Sequence, residues 1–211
     1  MKLYHGSLQV VEKPTIKKCR PHNDYGPGFY CTLSKSLACE WACKVPGRNG
    51  YCNEYDFDDA GLTVVDLDES PHGVLAWLAV LMANRVFDLE WDTDQVRQQF
   101  VSRYAPDLSD ADVVCGYRAD DSYFSIARAF VNGTITDQQT ADALRLGDLG
   151  RQVMIASPKA FRRLKFVGLE VAPSVVWHRC WHDRDRDARL AFSGMRQPGA
   201  KAEGRRIFDF L

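Results

Sequence analysis

The sequence contains no apolar tract of the roughly 20 residues that a transmembrane helix needs. It also lacks a basic and apolar amino-terminal segment of the secretory type, internal repeats and low-complexity segments. With 211 residues, of which 45% are hydrophobic and 26% are charged, the composition fits one globular domain over residues 1–211. We therefore expect a soluble cytoplasmic protein without a membrane partner, or an effector that is exported without a signal peptide.

Cysteine pairs and a dominant charge are also missing. The seven cysteines are an odd number and none is spaced as CxxC, which argues against a disulfide framework and a zinc ribbon. His178, Cys180 and His182 alternate along an expected strand edge, but the sequence supplies no fourth zinc ligand. The formal net charge is −1, so charge gives no reason to expect a nucleic-acid target.

Short apolar runs bounded by turn residues predict strands in both halves of the chain. The strands at residues 53–57 and 62–67 are separated by a turn and are expected to pair as a hairpin. Residues 169–177 are expected to be extended and interrupted by Pro173. The other predicted strands lie at residues 3–5, 28–32, 112–116 and 152–156.

Capping signals predict where several helices begin. Ser34 is expected to cap a helix, and Thr136 with Gln139 has the spacing of a capping box. The Ser-Pro pair at residues 70–71 predicts the start of an apolar helix. Helices are expected at residues 35–43, 93–104, 122–131, 136–146, 157–164 and 182–195, and residues 207–211 are expected to dock on the body.

Two glycine-containing segments have the residue types that bind a flat ligand. His5 lies at a strand end and is followed by Gly6, whose bare backbone allows a ring to approach closely. In residues 26–36, GPGFYCTLSKS, Tyr30 offers a face for stacking and Ser36 a hydroxyl for an amide. Taken alone, each segment is explained as well by a structural histidine or by hairpin glycines beside a core tyrosine.

Together these segments resemble the motifs of a known superfamily. Residues 3–7, LYHGS, resemble the first-strand motif of the ADP-ribosyltransferase superfamily in its diphtheria-toxin-like and poly-ADP-ribose-polymerase branch, and residues 26–36 resemble the second motif. The third motif is a strand that begins with a catalytic Glu, and Gln152 holds the comparable position. Nearly the whole chain resembles, more closely, an uncharacterised bacterial family of ADP-ribosyltransferase-like proteins, a domain of unknown function.

The resemblance implies an α+β fold in which a split pair of antiparallel β-sheets encloses an NAD cleft, with a helical insertion at about residues 70–147. NAD is implied as the substrate. His5 would hold a ribose hydroxyl, Tyr30 would stack on the nicotinamide ring, and Gly6 and Ser36 would hold its amide. The further positions implied at the NAD site are Ser7, Arg20, Asp24, Gly28, Thr32 and Trp41.

Several of these positions keep a structural alternative. Arg20 would meet a pyrophosphate and Asp24 an amide, or both would only tie down their loop. Trp41 would cover the nicotinamide, although Cys39 occupies the closest matching position and core packing explains Trp41 at least as well. Arg85 ends an apolar helix, where arginine commonly bonds the last carbonyl groups.

Gln152 limits the chemistry, because an uncharged amide can form hydrogen bonds but cannot act as a general base. We therefore expect a mono-ADP-ribosyltransferase that modifies a protein or nucleic-acid acceptor, with a bacterial toxin and its antitoxin partner as the expected setting. Another carboxylate would have to assist. Asp120 and Asp121 are candidates, and we count Asp121 with the catalytic residues, although Asp before a helix is commonly an N-cap. The alternatives are a non-catalytic NAD or ADP-ribose binding module and an NAD glycohydrolase.

Overall fold

A seven-stranded, mostly antiparallel sheet organises this mixed α+β protein. The computed structural model describes residues 1–119, 121–146, 150–196 and 203–211. The strands are β1 (Lys2–Ser7), β2 (Phe29–Thr32), β3 (Gly50–Phe57), β4 (Val64–Asp66), β5 (Val113–Tyr117), β6 (Arg151–Ile155) and β7 (Leu164–Ala172). They lie in the order β4-β5-β6-β2-β1-β3-β7, and every neighbouring pair is antiparallel except the parallel pair of β4 and β5.

One residue pair joins the two parts of this sheet. β1 pairs with β3 along its whole length, and β2 pairs with β6 along its whole length. β1 and β2, in contrast, pair with each other through Tyr4 and Thr32 alone. The described strands therefore form one sheet rather than the expected pair of sheets, but its two parts meet at a narrow junction.

The helices begin largely where the capping signals predict. They are α1 (Lys35–Ala42), α2 (Val74–Asn84), α3 (Trp91–Tyr104), α4 (Asp121–Val131), α5 (Asp137–Ala143), α6 (Pro158–Phe161) and α7 (Ser174–Met195), with short 3₁₀ turns at Ile16–Lys18 and Ile207–Phe210. The Ser34 hydroxyl accepts the Leu37 N–H and caps α1. Thr136 and Gln139 form the predicted capping box of α5.

Three helices are shorter than predicted by more than one residue. α5 ends at Ala143 instead of residue 146. α2 begins after Gly73 and has no side-chain cap, because Ser70 instead forms a turn in which its backbone oxygen accepts the Gly73 N–H. α6 is capped by Ser157 as expected, but Leu164 already belongs to β7.

The predicted hairpin between residues 53–57 and residues 62–67 is wrong. β3 lies between β1 and β7, whereas β4 lies at the opposite edge of the sheet, parallel to β5. The turn between β3 and β4 therefore connects strands that do not pair. A parallel partner far along the chain leaves no local signal in the sequence.

The extended segment predicted at residues 169–177 is also wrong beyond Ala172. Pro173 is the N-cap of α7, which begins at Ser174, a position where proline suits a helix start better than a strand interior. His178, Cys180 and His182 therefore lie on a helix and not on a strand edge. The His178 ring lies 2.9 Å from the backbone oxygen of Cys43, which ties α7 to the end of α1.

The helices of the segment predicted as an insertion form the largest apolar core with one face of the sheet. Trp77 of α2 is completely buried, and its indole N–H donates to the backbone oxygen of Tyr117 in β5 at 2.8 Å. The carboxyl-terminal turn docks on this core as predicted, with Ile207 and Phe210 buried. Among the described residues, no helix has the length and apolar character needed to cross a bilayer.

Candidate functional site

A cleft of about 690 Å³ lies where β1 and β2 diverge. Its walls come from the end of β1, the loop between β1 and β2, the start of β2, α1 and β6. The cleft therefore spans the narrow junction of the sheet. It is lined by nine of the residues predicted from the sequence: His5, Gly6, Ser7, Arg20, Asp24, Gly28, Tyr30, Trp41 and Gln152.

His5 presents a neutral imidazole to the cleft. Its Nδ1 lies 2.7 Å from the backbone oxygen of Tyr30, and Nδ1 carries the proton because a carbonyl oxygen can only accept. Burial lowers the pKa of His5 below its ordinary value, and the ring packs on Phe29 with centroids 4.4 Å apart. Nε2 of the neutral ring is thus a hydrogen-bond acceptor that suits a ligand hydroxyl.

Tyr30 contributes an aromatic ring, because its hydroxyl is already engaged. The hydroxyl donates to the Gly26 oxygen at 2.7 Å and accepts the Tyr25 N–H at 2.9 Å. These two bonds fold the loop before β2 back on the strand. Burial raises the pKa of the Tyr30 phenol well above its ordinary value, so the group does not act as an acid near neutral pH.

Gln152 and Asp24 form a buried hydrogen-bonded pair in the cleft wall, 3% and 7% exposed respectively. The Gln152 Nε2 donates to Asp24 Oδ2 at 3.0 Å and to the Tyr117 oxygen at 3.4 Å. Asp24 Oδ2 also accepts the Ala119 N–H at 3.1 Å, and Oδ1 lies 3.7 Å from Arg85 Nη1. A carboxylate therefore stands directly beside the uncharged amide.

The environment of Asp24 leaves its charge only partly compensated. Burial raises the pKa of its carboxyl, and the interactions with Gln152, Arg85, Ala119 and Arg118 lower it by less. A raised pKa means that the fold disfavours the carboxylate relative to water. Groups held in this way are more common at functional sites than in purely structural networks.

The two motif glycines in the cleft are required by packing. A Cβ on Gly6 would lie 1.8 Å from the backbone oxygen of Ala38 in α1. A Cβ on Gly28 would lie 2.3 Å from the Met154 side chain in β6. Both glycines therefore let a second element pack closely against the strand that carries a cleft residue.

Trp41 and Arg118 stack on one another in the cleft. The guanidinium carbon of Arg118 lies 4.0 Å from the centroid of the Trp41 ring, a distance at which a cation and an aromatic face attract. Trp41 is half-buried, and within the described part of the chain its indole N–H has no hydrogen-bond partner. The stack brings α1 against the residues that follow β5.

Positive charge dominates the cleft even though the whole chain has a formal net charge of −1. Among the described residues that line it, Asp24 is the only acidic one. A cavity with several cations and one partly compensated carboxylate attracts an anionic ligand. The five cationic side chains that line the cleft are Lys18, Arg20, Lys44, Arg85 and Arg118.

Two predicted site residues lie outside the cleft lining. Thr32 is buried, and its hydroxyl accepts the Ser34 N–H at 3.1 Å. Ser36 is exposed on the first turn of α1, with its hydroxyl 3.0 Å from that of Ser34. These contacts give both hydroxyl groups a role at the start of α1.

The carboxylates proposed from the sequence fall largely outside the description. Asp120 lies outside the described residues, and Asp121 is described only as the first backbone position of α4. Among the described residues, no three His, Cys, Asp or Glu side chains come together as a metal site requires.

Sequence reasoning missed the pairing of Asp24 with Gln152 and most of the cations. Arg85 was expected to bond the last carbonyl groups of α2, but it pairs with Asp24. The two members of the Asp24 and Gln152 pair are separated by 128 positions. The sequence signal for this pair was limited to the residue type at position 24, an aspartate close to the glycine-rich turn.

Comparison with known proteins gives one match. No curated protein and no solved structure matches the chain. A family model described as "Protein of unknown function (DUF3990)" matches residues 1–166, a range that contains every residue lining the cleft. The chain therefore belongs to the DUF3990 family of proteins of unknown function.

Proposed function

We propose that this protein is a mono-ADP-ribosyltransferase that transfers ADP-ribose from NAD to a macromolecular acceptor. The proposal starts from the resemblance of residues 3–7, residues 26–36 and the Gln152 strand to the three motifs of the ADP-ribosyltransferase superfamily. The observation that carries it is the convergence of His5, Tyr30 and Gln152 on one cleft that also holds five cationic side chains.

The size and charge of the cleft fit a dinucleotide. Its volume of about 690 Å³ lies within the range of roughly 300–1,000 Å³ that is usual for ligand sites. The pyrophosphate of NAD carries two negative charges, which arginine side chains bind well. Arg20 and Lys18 on the loop before β2 and Arg118 beside Trp41 offer such charges on different walls of the cleft.

Each motif residue has a task in cleaving the bond between ribose and nicotinamide. Positive charge develops on the ribose during cleavage, as it does in glycoside hydrolysis. Tyr30 would stack on the nicotinamide ring, His5 Nε2 would accept a ribose hydroxyl, and the Gln152 carbonyl oxygen would face the same ligand. Positioning and fixed dipoles can supply most of the rate in such a site.

A second function is favoured by the uncharged side chain at position 152. An NAD or ADP-ribose binding module needs the same cleft but no carboxylate at that place, because it does not stabilise a cation. In an NAD glycohydrolase, water would replace the macromolecular acceptor.

Labelled NAD separates these functions. The purified protein is incubated with NAD carrying ³²P in its adenylate phosphate and with a cell lysate, and label on macromolecules and free nicotinamide are measured. We expect transfer by the wild type and its loss in Tyr30→Ala, which removes the stacking ring. Tyr104→Ala is the matched control, because Tyr104 is a half-buried tyrosine in the helical core and does not line the cleft.

The possible outcomes are distinct. Saturable NAD binding without transfer or nicotinamide release supports the binding module, and nicotinamide release without transfer supports the glycohydrolase. A wild-type protein that binds neither NAD nor ADP-ribose overturns all three functions. Equal transfer by Tyr30→Ala and the control would contradict the role of Tyr30.

A further inference from the structure

We infer that Asp24 supplies the negative charge that Gln152 lacks, and that the two side chains together do the work of one carboxylate. Asp24 acts through the Gln152 amide, so it is a positioning residue rather than a group in contact with the reacting atoms. The inference rests on the proposed function and adds a specific residue to it.

The pair is built into the fold from three separate segments. Asp24 lies on the loop between β1 and β2, Gln152 lies on β6, and Ala119 is the second residue after β5. Asp24 Oδ2 accepts the Gln152 amide at 3.0 Å and the Ala119 N–H at 3.1 Å. Both side chains are buried and both line the cleft.

These bonds decide which atom of Gln152 remains for a ligand. Both amide hydrogens point to protein oxygens, one to Asp24 and one to Tyr117. The carbonyl oxygen Oε1 is therefore the part of the side chain left to accept from a ligand. A carboxylate at the nitrogen end of an amide polarises it and increases the negative charge on Oε1.

The two hydrogen bonds that Asp24 accepts would form as well with asparagine at position 24, and among the contacts named above only the ion pair with Arg85, at 3.7 Å, uses the charge. Asparagine has the same shape, and one side-chain oxygen would accept both N–H groups. The carboxylate, in contrast, is held at a cost in free energy, since burial raises the pKa of Asp24 despite its partners. A charge that the fold disfavours and that lines a cleft is better explained by what it does there.

The same geometry explains why position 152 is not a glutamate. A glutamate there would place two carboxylates within about 3 Å of each other, and they cannot both be ionised at that separation. Glutamine donates to Asp24 where glutamate would repel it. Gln152 thus departs from the superfamily pattern because the carboxylate is supplied by Asp24 instead.

The charge is needed at a defined point in the transfer. The bond between ribose C1′ and nicotinamide N1 breaks, and its electron pair goes to N1, leaving neutral nicotinamide. The positive charge passes to the ribose, where Gln152 Oε1, made more negative by Asp24, stabilises it. A lone pair of the acceptor then forms the new bond to C1′, and the proton of the acceptor passes to water.

A charge-exchange series tests the inference by label transfer, with kcat and KM for NAD measured together. We expect Asp24→Asn to lower kcat about 100-fold or more, with KM within about threefold. Gln152→Glu is also slow, because the two carboxylates share one charge. The double variant Asp24→Asn with Gln152→Glu restores one carboxylate beside one amide, and its kcat rises at least about tenfold above that of Asp24→Asn.

Two further variants separate charge from folding. Asp24→Glu keeps the charge, so its kcat exceeds that of Asp24→Asn even if the double variant fails to fold. Asp112→Asn is the matched control, since Asp112 is also 7% exposed but does not line the cleft, and its kcat stays at the wild-type level below its unfolding temperature.

The results that overturn the inference differ from those that overturn the proposed function. Two results overturn the role of Asp24 alone. In the first, the kcat of Asp24→Asn lies within threefold of that of an active wild type. In the second, Asp24→Asn is active and neither Asp24→Glu nor the double variant has a higher kcat. A wild type that binds NAD but neither transfers label nor releases nicotinamide overturns the proposed function and, with it, this inference.

Discussion

Two buried aspartates at opposite ends of β5 differ in how the fold treats their charge. Asp112 immediately precedes β5 and accepts the Thr63 N–H at 2.9 Å, the Lys159 ammonium at 3.2 Å and the Ser157 hydroxyl. The Ser157 bond, followed by the Thr63 bond and Lys159, lowers the pKa of Asp112 to about 2. At the other end of β5, Asp24 has a raised pKa.

Equal solvent exposure therefore does not give equal electrostatics: both residues are 7% exposed, but Asp24 lies deeper among protein atoms and loses more of its hydration. Around Asp112, partners outweigh desolvation and the carboxylate stabilises the junction of β5 with α6. Around Asp24, desolvation outweighs the partners and the carboxylate costs stability at the edge of a cleft. The comparison separates Asp112, whose carboxylate stabilises the fold, from Asp24, whose carboxylate is kept at a cost in stability and is better explained by a functional role.

The largest expected effect is the difference in Tm between Asp112→Asn and Asp24→Asn. Asp112→Asn lowers the Tm more than any other change considered below, because the amide has no charge to attract the Lys159 ammonium and places an NH2 group against the Ser157 hydroxyl, which donates to Asp112. Asp24→Asn leaves the Tm unchanged or raises it, because the buried charge is removed and both hydrogen bonds remain. Thermal unfolding at pH 7 measures both, and equal losses in Tm would erase the distinction.

Acid unfolding should show opposite signs for the two groups. The folded pKa of Asp112 lies below the ordinary value of 3.8, so its stabilisation is present above about pH 4 and is lost as the pH falls through about 2. The folded pKa of Asp24 lies above the ordinary value, so its cost appears as the pH rises from about 4 through that raised pKa.

Unfolding free energies from pH 2 to pH 7 check these signs. Asp112→Asn should lose less stability than the wild type on acidification. The advantage of Asp24→Asn over the wild type should grow with rising pH. A wild-type curve unchanged by either substitution would contradict both assignments.

Gly116 allows the Asp24 end of β5 to be disturbed without touching Asp112. A Cβ there would lie 2.7 Å from the Tyr25 hydroxyl and 3.3 Å from Leu67, so Gly116→Ala should cost about 1–3 kcal/mol of unfolding free energy. Gly168→Ala is the matched control, because a Cβ at that strand glycine meets nothing within 4 Å. Chemical denaturation of both variants gives the difference, and equal values would refute the crowding at Gly116.

The smallest losses of stability are expected at two helix caps, those of α6 and α1. The Ser157 hydroxyl accepts the Ala160 N–H at 3.1 Å and bonds Asp112, so Ser157→Ala should cost about 1–2 kcal/mol. Ser34→Ala removes the cap of α1. Within the described part of the chain the Ser34 hydroxyl bonds the Leu37 N–H and the Ser36 hydroxyl but no carboxylate, so this change should cost about 0.5–1 kcal/mol. Denaturant midpoints compare the two variants. A larger loss of stability in Ser34→Ala than in Ser157→Ala would show that the bond to Asp112 adds little to the cap of α6.

Local signals in the sequence predict the elements that local chemistry determines. The Ser34 cap and the capping box at Thr136 are confirmed because a hydroxyl and a nearby N–H suffice to form them. The segment around His5 and the segment around Tyr30 were each placed on a strand for similar reasons. Their meeting in one cleft could be predicted only from the resemblance, not from spacing.

Long-range pairings could not be predicted in the same way. The partner of β4 lies beyond two helices, so the nearby β3 was wrongly favoured. Residues 169–177 are predicted to be extended and only interrupted by Pro173, but the proline precedes a long helix instead. The pairing of Asp24 with Gln152 leaves no periodicity and no motif, because tertiary folding alone brings them together.

The junction through Tyr4 and Thr32 has a consequence for the breadth of the opening. The imidazole of His5, on the β1 and β3 pair of strands, bonds the backbone oxygen of Tyr30, on the β2 and β6 pair. The Nδ1 proton makes this crossing in the neutral and in the charged ring alike. The two parts of the sheet thus keep their spacing when the imidazole gains a proton. Acid can remove the hydrogen-bond acceptor at Nε2 without widening the opening of the cleft.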